Sequence, residues 1–184
     1  MIDSYFDIQM DDALTDPLPT TAKLQQWSSI VYEQIPLLRS AFTIPAETLP
    51  LHITLRLVAS EEIIELNSHY RHKAKETNVL SFPFELPEGI PIELIQEVTL
   101  GDIILCPSVI NREAQEQQKS SDAHWAHMVI HGHLHLLGYD HIDPTEAEIM
   151  EQHEIDLLKQ LGFSNPYHPL QPPSHDCSKN IGTR

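Results

Sequence analysis

The amino-acid sequence predicts an α+β fold in which helices pack on a small mixed β-sheet. Short segments with alternating apolar side chains occur beside longer segments with helical periodicity, and the two kinds do not alternate strictly along the chain. The length of 184 residues is enough for one domain with a substantial core. We expect residues 1–163 to form this domain. Residues 164–184 contain four prolines and few apolar side chains, and are predicted to form a disordered C-terminal tail.

Four segments have the composition of β-strands, with apolar residues at alternating positions or in short continuous runs. They are residues 2–10, 51–59, 78–85 and 99–106. Gly101, in the last of these segments, is expected to mark a β-bulge. Residues 86–97 contain two prolines and one glycine and are therefore predicted to be a loop.

Five segments are predicted to be helices, because apolar residues recur at helical spacing or because a capping residue comes first. They are residues 20–42, 60–71, 107–119, 121–137 and 143–161. Pro36 is expected to kink the first helix. Ser121 and Asp122 are predicted to cap the fourth, whereas the fifth begins with Asp143 at the N-cap and Pro144 at the first helical position.

Charge and composition exclude several functions and locations. The net charge of -16 argues against a protein that coats nucleic acid by bulk electrostatic attraction. We find no stretch of roughly 18 apolar residues that would cross a bilayer, and no secretory signal at the N-terminus. The two cysteines, Cys106 and Cys177, lack metal-binding or redox spacing, which favours a reducing, cytoplasmic location.

Positive charge is nevertheless concentrated at one place in the chain. Arg71, Lys73 and Lys75 fall within five residues, beside His69 and His72. A solvated helix end and a site for an anionic ligand both explain such a cluster, so the charge pattern alone leaves its role open.

The strongest chemical signal is a group of three histidines, His131, His135 and His141, with the spacing H-x3-H-x5-H. On a helix, His131 and His135 project from one face a turn apart, as two ligands of one metal ion must. Gly138 can end the helix in a left-handed conformation, and the chain can then bring His141 back towards the pair. Three imidazoles leave a fourth coordination position open, the pattern of catalytic zinc.

Two further histidines lie on the same predicted helix. His127 is one turn before His131. It is either a fourth ligand or a histidine whose hydrogen bonds are satisfied within the protein, and we favour the second interpretation. His133 points away from the ligand face and is predicted to be structural.

Several segments resemble the YbeY family, bacterial metal-dependent endoribonucleases implicated in ribosomal RNA maturation. The most specific is HGHLHLLGYDH, residues 131–141. The segments LNSHYRHKAKETNVLSFP (residues 66–83) and LGDIIL (residues 100–105) are similar to the family, as is the region of residues 147–154, and they occur in the expected order. The resemblance covers about residues 51–162 of the chain.

This resemblance implies one zinc ion per chain, bound by His131, His135 and His141, with His135 also among the catalytic residues. It implies that Arg71 lies near the metal and contacts an RNA phosphate. A guanidinium suits that role because it can hold two phosphate oxygens at once. The implied activity is cleavage of single-stranded RNA in ribosomal RNA precursors, including maturation of the small-subunit 3′ end and ribosome quality control. Ribosomal proteins or ribosome-associated factors are the further partners implied.

Two carboxylates are candidates to hold a ligand histidine by a hydrogen bond. Asp140 is adjacent to His141; it could instead serve as a general base, but an Asx-turn or a hydrogen bond to a ligand histidine is favoured. Glu154 falls on the apolar face of the last predicted helix, where a carboxylate needs a partner.

The histidine spacing also matches the long zinc-protease motif H-E-x-x-H-x-x-G-x-x-H, except that Gly132 occupies the position of the glutamate general base. Without that carboxylate, peptide hydrolysis lacks its proton shuttle. Two alternatives to the ribonuclease therefore stay open. One is a metallohydrolase acting on another substrate such as peptides. The other is a non-catalytic, zinc-containing ribosome assembly factor, which the acidic composition would suit if its partner were basic.

Overall fold

The structure is a computed structural model that describes residues 4–34, 49–85, 96–140 and 143–168. Within these ranges the chain forms four strands and five helices. In chain order they are β1 (Ser4–Met10), α1 (Thr21–Glu33), β2 (Leu51–Leu57), α2 (Ser60–Arg71), β3 (Val79–Pro83), β4 (Val98–Leu105), α3 (Pro107–Glu116), α4 (Ser121–Leu136) and α5 (Pro144–Gln160).

The four strands form one mixed sheet in the order β1-β2-β4-β3. The first three strands are parallel, and β3 is antiparallel to β4 at the edge. The pairing of β2 with β4 slips between His52 and Ile53, opposite Gly101, whose φ is 135°. A side chain at Gly101 would collide with the carbonyl of Phe82 on β3. The predicted α+β class and the predicted irregularity at Gly101 are both confirmed.

The sheet buries a different set of side chains on each face, because successive side chains of a strand point in opposite directions. On one face, Ile103 and Leu105 join the main core, which includes Trp125 and Val129 of α4. On the other face, Ile104 packs in a smaller cluster with residues of α2 and α3. Helix α4 is in turn packed by α1 and α5, so most of its surface is buried. Most of the side chains that it buries are apolar, and each large one contributes roughly 1.5–3 kcal/mol.

The helix boundaries differ from the predicted ones in three places, one of which is helix α3, which ends at Glu116 and not at residue 119. The first helix ends at Glu33, and the kink predicted at Pro36 lies outside the described residues, as does most of the predicted loop. The prediction that Ser121 and Asp122 cap α4 is wrong, because the hydroxyl of Ser120 accepts the hydrogen bond from the backbone N–H of Ala123 at 3.2 Å. Asp122 therefore stands in the first turn, where its carboxylate pairs with Lys23 on α1.

The start of α5 is as predicted. Asp143 is the N-cap, and its carboxylate accepts a hydrogen bond of 2.8 Å from the backbone N–H of Thr145. Pro144 occupies the first helical position, where its missing N–H costs nothing.

The first part of the predicted tail packs against the domain. Lys119 donates a hydrogen bond of 2.6 Å to the backbone carbonyl of Pro166, and the hydroxyl of Tyr167 donates to the carboxylate of Glu154. Residues 164–168 therefore contact the domain, and residues 169–184 lie outside the described residues, so the disordered tail stays a prediction. No helix among the described ranges is long and apolar enough to cross a membrane.

Candidate metal centre

Helix α4 brings the side chains of His131 and His135 together on one face. Their ring centroids are 4.6 Å apart, and their Nε2 atoms are separated by 3.1 Å. Two imidazole nitrogens that each bind one tetrahedral zinc ion at 2.0–2.1 Å are about 3.3 Å apart. The observed separation therefore fits a pair of nitrogen ligands to a single ion. Both side chains are partly accessible at the surface, so a ligand can reach them.

The third predicted ligand, His141, lies outside the described residues. The chain that leads towards it is described, however. Gly138 follows the end of α4 with a φ of 88°, and the backbone N–H of Tyr139 donates to the carbonyl of Leu134 at 3.0 Å. The chain thus turns after the helix as predicted, and it continues to Asp140. Within the described ranges, no three His, Cys, Asp or Glu side chains are arranged so that they could hold a metal ion together.

A buried carboxylate holds the first of these histidines. Glu154 of α5 is fully buried, and its Oε1 lies 2.7 Å from Nδ1 of His131. With Nδ1–H donating to this carboxylate, the lone pair of the ring is on Nε2, the atom that faces His135. The contact predicted for Glu154 is present, and its effect on a bound metal stays a prediction.

The other oxygen of the same carboxylate has two partners. Oε2 of Glu154 lies 3.2 Å from Nε2 of His127 and accepts a hydrogen bond from the hydroxyl of Tyr167. His127 is only 8% exposed, and its ring makes an edge contact with the Tyr167 ring at 5.6 Å. Composition gave no signal for Tyr167, because the prolines around it predicted disorder.

These contacts keep Glu154 ionised. Burial alone would raise its pKa, but the hydrogen bonds from His127 and His131, and the positive charge of those rings when they are protonated, lower the pKa to about 2. The pKa of Tyr167 is raised, first by burial and then by its hydrogen bond to the carboxylate, so it remains a neutral donor. Burial lowers the pKa of His127, and Glu154 opposes this shift.

His133 points to the opposite side of α4, as predicted. It is fully buried, with the hydroxyl of Tyr32 2.6 Å from Nδ1 and the hydroxyl of Ser28 2.9 Å from Nε2. Burial lowers the pKa of His133 to about 3, so the ring is neutral near pH 7. Both partners come from α1, so His133 fixes the position of α1 on α4.

Gly132, which lies between His131 and His135 on α4, packs against the sheet. A Cβ atom at this position would be 2.7 Å from Cγ2 of Ile103, and the backbone carbonyl of Gly132 accepts a hydrogen bond of 3.1 Å from the hydroxyl of Ser81. The absence of a side chain therefore lets α4 approach β3 and β4 closely.

Arg71 is exposed at the last position of α2. Helix α2 packs on the opposite face of the sheet from α4, and edge strand β3 lies between them. In the part of the chain that the structure describes, no hydrogen bond or ion pair joins Arg71 to His131 or His135. The role of Arg71 at a metal centre therefore stays a prediction.

Comparison with known proteins identifies the class of this chain. The family model for endoribonuclease YbeY matches residues 18–162, and the chain belongs to this family. The resemblance found in the sequence is therefore confirmed. An endoribonuclease is a hydrolase that acts on RNA.

Three relatives carry the name endoribonuclease YbeY. The one from Methylococcus capsulatus is 44% identical over 90% of this chain and 98% of its own length. The one from Alcanivorax borkumensis is 57% identical over 70% of this chain and 73% of its own length. The one from Alteromonas mediterranea is 44% identical over 91% of this chain and 96% of its own length. A solution structure of a Thermotoga maritima protein aligns with 89% of this chain and 99% of that chain, at 22% identity and a TM-score of 0.49.

Proposed function

We propose that this chain is a zinc-dependent endoribonuclease that cleaves single-stranded RNA in ribosomal RNA precursors. Maturation of the small-subunit 3′ end and ribosome quality control, in the cytoplasm, are the processes in which it would act. Membership of the endoribonuclease YbeY family supports RNA as the substrate. The observation that carries the metal centre is the pair of imidazoles 3.1 Å apart, one of which is held by a buried carboxylate.

In this proposal His131, His135 and His141 hold one zinc ion. The donor set suits zinc, which takes neutral imidazole nitrogens, and three protein ligands leave a position for water or substrate. Bound zinc would lower the pKa of a coordinated water to about 7 and polarise a phosphate oxygen. Glu154 keeps the His131 ring in the tautomer and orientation that expose Nε2. Asp140 is proposed to support His141 in the same way.

Arg71 is proposed to bind the non-bridging oxygens of the scissile phosphate. Its planar guanidinium can donate two parallel hydrogen bonds to these oxygens and neutralise the charge that develops on them. Its exposure at the end of α2 leaves the side chain accessible to a large substrate. Whether water or the RNA 2′-hydroxyl attacks the phosphorus is left open.

The packing of Gly132 disfavours the peptidase alternative. A zinc peptidase of this spacing needs a glutamate at that position as its general base. A Cβ at Gly132 would be 2.7 Å from Cγ2 of Ile103, so any side chain there would force α4 away from the sheet. A zinc-containing assembly factor without catalytic activity is the second candidate, favoured by the net charge of -16, which suits basic ribosomal proteins as partners.

The experiment is cleavage of a defined single-stranded RNA by the purified full-length chain, after chelation and after addition of zinc. His135→Ala and Arg71→Ala test the two proposed catalytic side chains. His52→Ala and Arg56→Ala are matched controls. Both residues are partly exposed on β2, and each pairs with a carboxylate, His52 with Glu97 and Arg56 with Glu62. We expect chelation and His135→Ala to abolish cleavage, and Arg71→Ala to lower kcat by about 100-fold or more, with both controls near wild type.

Equal cleavage by all five preparations would mean a contaminating nuclease and would contradict the proposal. Binding of zinc and of ribosomal proteins without cleavage would favour the assembly factor instead. Turnover of a peptide library that depends on His135 would favour a peptidase.

A further inference from the structure

The end of α2 carries positive charge that is not paired with any carboxylate of the described residues. Residues 66–75 include Arg71, Lys73 and Lys75 but no Asp or Glu, in a chain that has 27 acidic residues. Among the described residues, none of these three cations forms a salt bridge. By contrast, Lys23, Arg56 and Arg112 do so. Since the three cations are exposed and form no ion pair with the described residues, they suit an anionic partner.

Exposed aromatic side chains lie beside this charge. Tyr70 is 58% exposed, with its ring centroid 4.9 Å from that of Phe82 on β3 and 4.7 Å from that of His69. Phe84 is 51% exposed just beyond the end of β3. Its backbone N–H still donates to Leu100 of β4 at 2.9 Å, so the extended conformation continues. Phe82 and Phe84 therefore point to the same face of the sheet as α2.

The surface formed by Tyr70, Phe82 and Phe84 lies on one face of edge strand β3, and the helix that carries the candidate metal centre packs on the other face. Ser81 precedes Phe82 and points to the other face, where its hydroxyl donates to the carbonyl of Gly132, the residue after His131. A flexible strand of nucleic acid could therefore extend from this aromatic surface over the edge of β3 towards the histidines. Exposed aromatic rings next to cations are the arrangement with which proteins bind single-stranded nucleic acid.

We propose that Tyr70 stacks on a nucleobase of the RNA substrate, while Arg71, Lys73 and Lys75 bind the neighbouring backbone phosphates. This inference rests on the proposed ribonuclease function, since it takes RNA as the ligand. It adds a base-stacking site that depends on neither the metal nor the histidines. Stacking tolerates any base, because every base has a π-face, so the site would favour unpaired over paired RNA rather than select a sequence.

The test is the affinity of the full-length protein for a fluorescently labelled oligoadenylate RNA, measured by anisotropy in the presence of chelator so that cleavage does not interfere. Tyr70→Leu removes the ring and Tyr70→Phe retains it. Tyr5→Leu is the matched control. Tyr5 is 55% exposed on β1, at the opposite edge of the sheet, and its ring stacks on that of His52 with the ring centroids 5.1 Å apart. Lys73→Ala with Lys75→Ala tests the phosphate contacts.

We expect Tyr70→Leu to raise the Kd about 10-fold, with Tyr70→Phe and Tyr5→Leu within about 2-fold of wild type. The lysine double variant should reduce the salt dependence of binding, whereas Tyr70→Leu should not. An unchanged Kd for Tyr70→Leu, or the same loss in Tyr5→Leu, would overturn the proposal. So would a Tyr70→Phe variant as weak as Tyr70→Leu.

Cleavage assays on the same preparations separate the two proposals. If the wild-type protein cuts RNA and Tyr70→Leu has an unchanged Kd and KM, the stacking site is wrong and the ribonuclease stands. If the wild-type protein binds RNA through Tyr70 but never cuts it, the ribonuclease is wrong and the stacking site stands. Failure of the wild-type protein to bind RNA would overturn both.

Discussion

Oε1 of Glu154 lies 2.7 Å from Nδ1 of His131, so a carboxylate from α5 sets the direction of an imidazole on α4. The carboxylate is fully buried and its pKa is lowered to about 2, because hydrogen bonds from two histidines, and the positive charge of their rings when protonated, overcome the opposing effect of burial. A buried charge that is fully hydrogen-bonded holds its partners in one geometry. The candidate metal centre is therefore positioned by contacts between helices as well as by the spacing within one helix.

Replacement of Glu154 by glutamine should weaken metal binding. The amide is neutral and can donate as well as accept, so it no longer favours the His131 tautomer that presents Nε2. We expect Glu154→Gln to raise the Kd for zinc about 10- to 100-fold, measured by competition with a chromophoric chelator. Glu151→Gln, at an exposed position of the same helix, is the control. Equal zinc affinity in wild type and Glu154→Gln would contradict the assigned role.

Loss of the Tyr167 hydroxyl should destabilise the domain. Tyr167→Phe removes a donor to a buried carboxylate but keeps the ring against His127. A hydrogen bond to a charged group contributes about 1.5–3 kcal/mol, and because Tyr167 is 43% exposed we expect the lower end of that range. Urea unfolding would measure it, with Tyr5→Phe as the exposed control. A variant as stable as wild type would mean that water replaces the hydroxyl.

The features that the sequence predicted are those determined by neighbouring residues. The four-residue spacing of His131 and His135, the left-handed Gly138 and the Asp143 cap depend on a few adjacent positions, and the structure has all the local conformations that they imply. The strand segments were found for the same reason, because alternation is a local property.

The features that sequence did not predict depend on contacts between distant residues. His133 meets Ser28 across 105 positions, and no local pattern relates them. Composition predicts a tail at Tyr167 because it is averaged over a segment, whereas the contacts of this residue with Glu154 and His127 join it to particular distant side chains. The order of the sheet, with β4 between β2 and β3, likewise depends on which strands pair rather than on their sequences taken one at a time.

Acid should destabilise the protein through His133. Its pKa is about 3 in the folded state and near 6.5 when unfolded, so between these values the unfolded chain binds a proton that the folded chain excludes. The free energy of unfolding therefore falls as pH falls from about 6.5 towards 3, by up to about 1.4 kcal/mol per pH unit for this group. Glu154, with a pKa of about 2, adds to the loss only at lower pH, below its unfolded value of about 4.5.

Urea unfolding at pH 7 and at pH 5.5 measures this effect. His133→Gln should be less stable than wild type at pH 7, because Tyr32 and Ser28 lose part of their hydrogen bonding, but its stability should change less between the two pH values. An unchanged pH dependence in His133→Gln would show that other groups, such as His127, are responsible for the fall in the free energy of unfolding at acid pH.

Substitution of Gly132 tests the close approach of α4 to the sheet. In an exposed helix, alanine in place of glycine stabilises by about 1 kcal/mol. At Gly132 the new Cβ would be 2.7 Å from Cγ2 of Ile103, so we expect Gly132→Ala to destabilise by about 1–3 kcal/mol instead. Ile103→Ala removes the clashing methyl group, whereas Ile103→Val retains a branch at the same carbon. In a double-mutant cycle, Ile103→Ala should therefore relieve the cost of Gly132→Ala by about 0.5–3 kcal/mol, and Ile103→Val should not. A Gly132→Ala variant that is more stable than wild type would mean that the helix shifts to make room, and that the close approach is not needed for the fold.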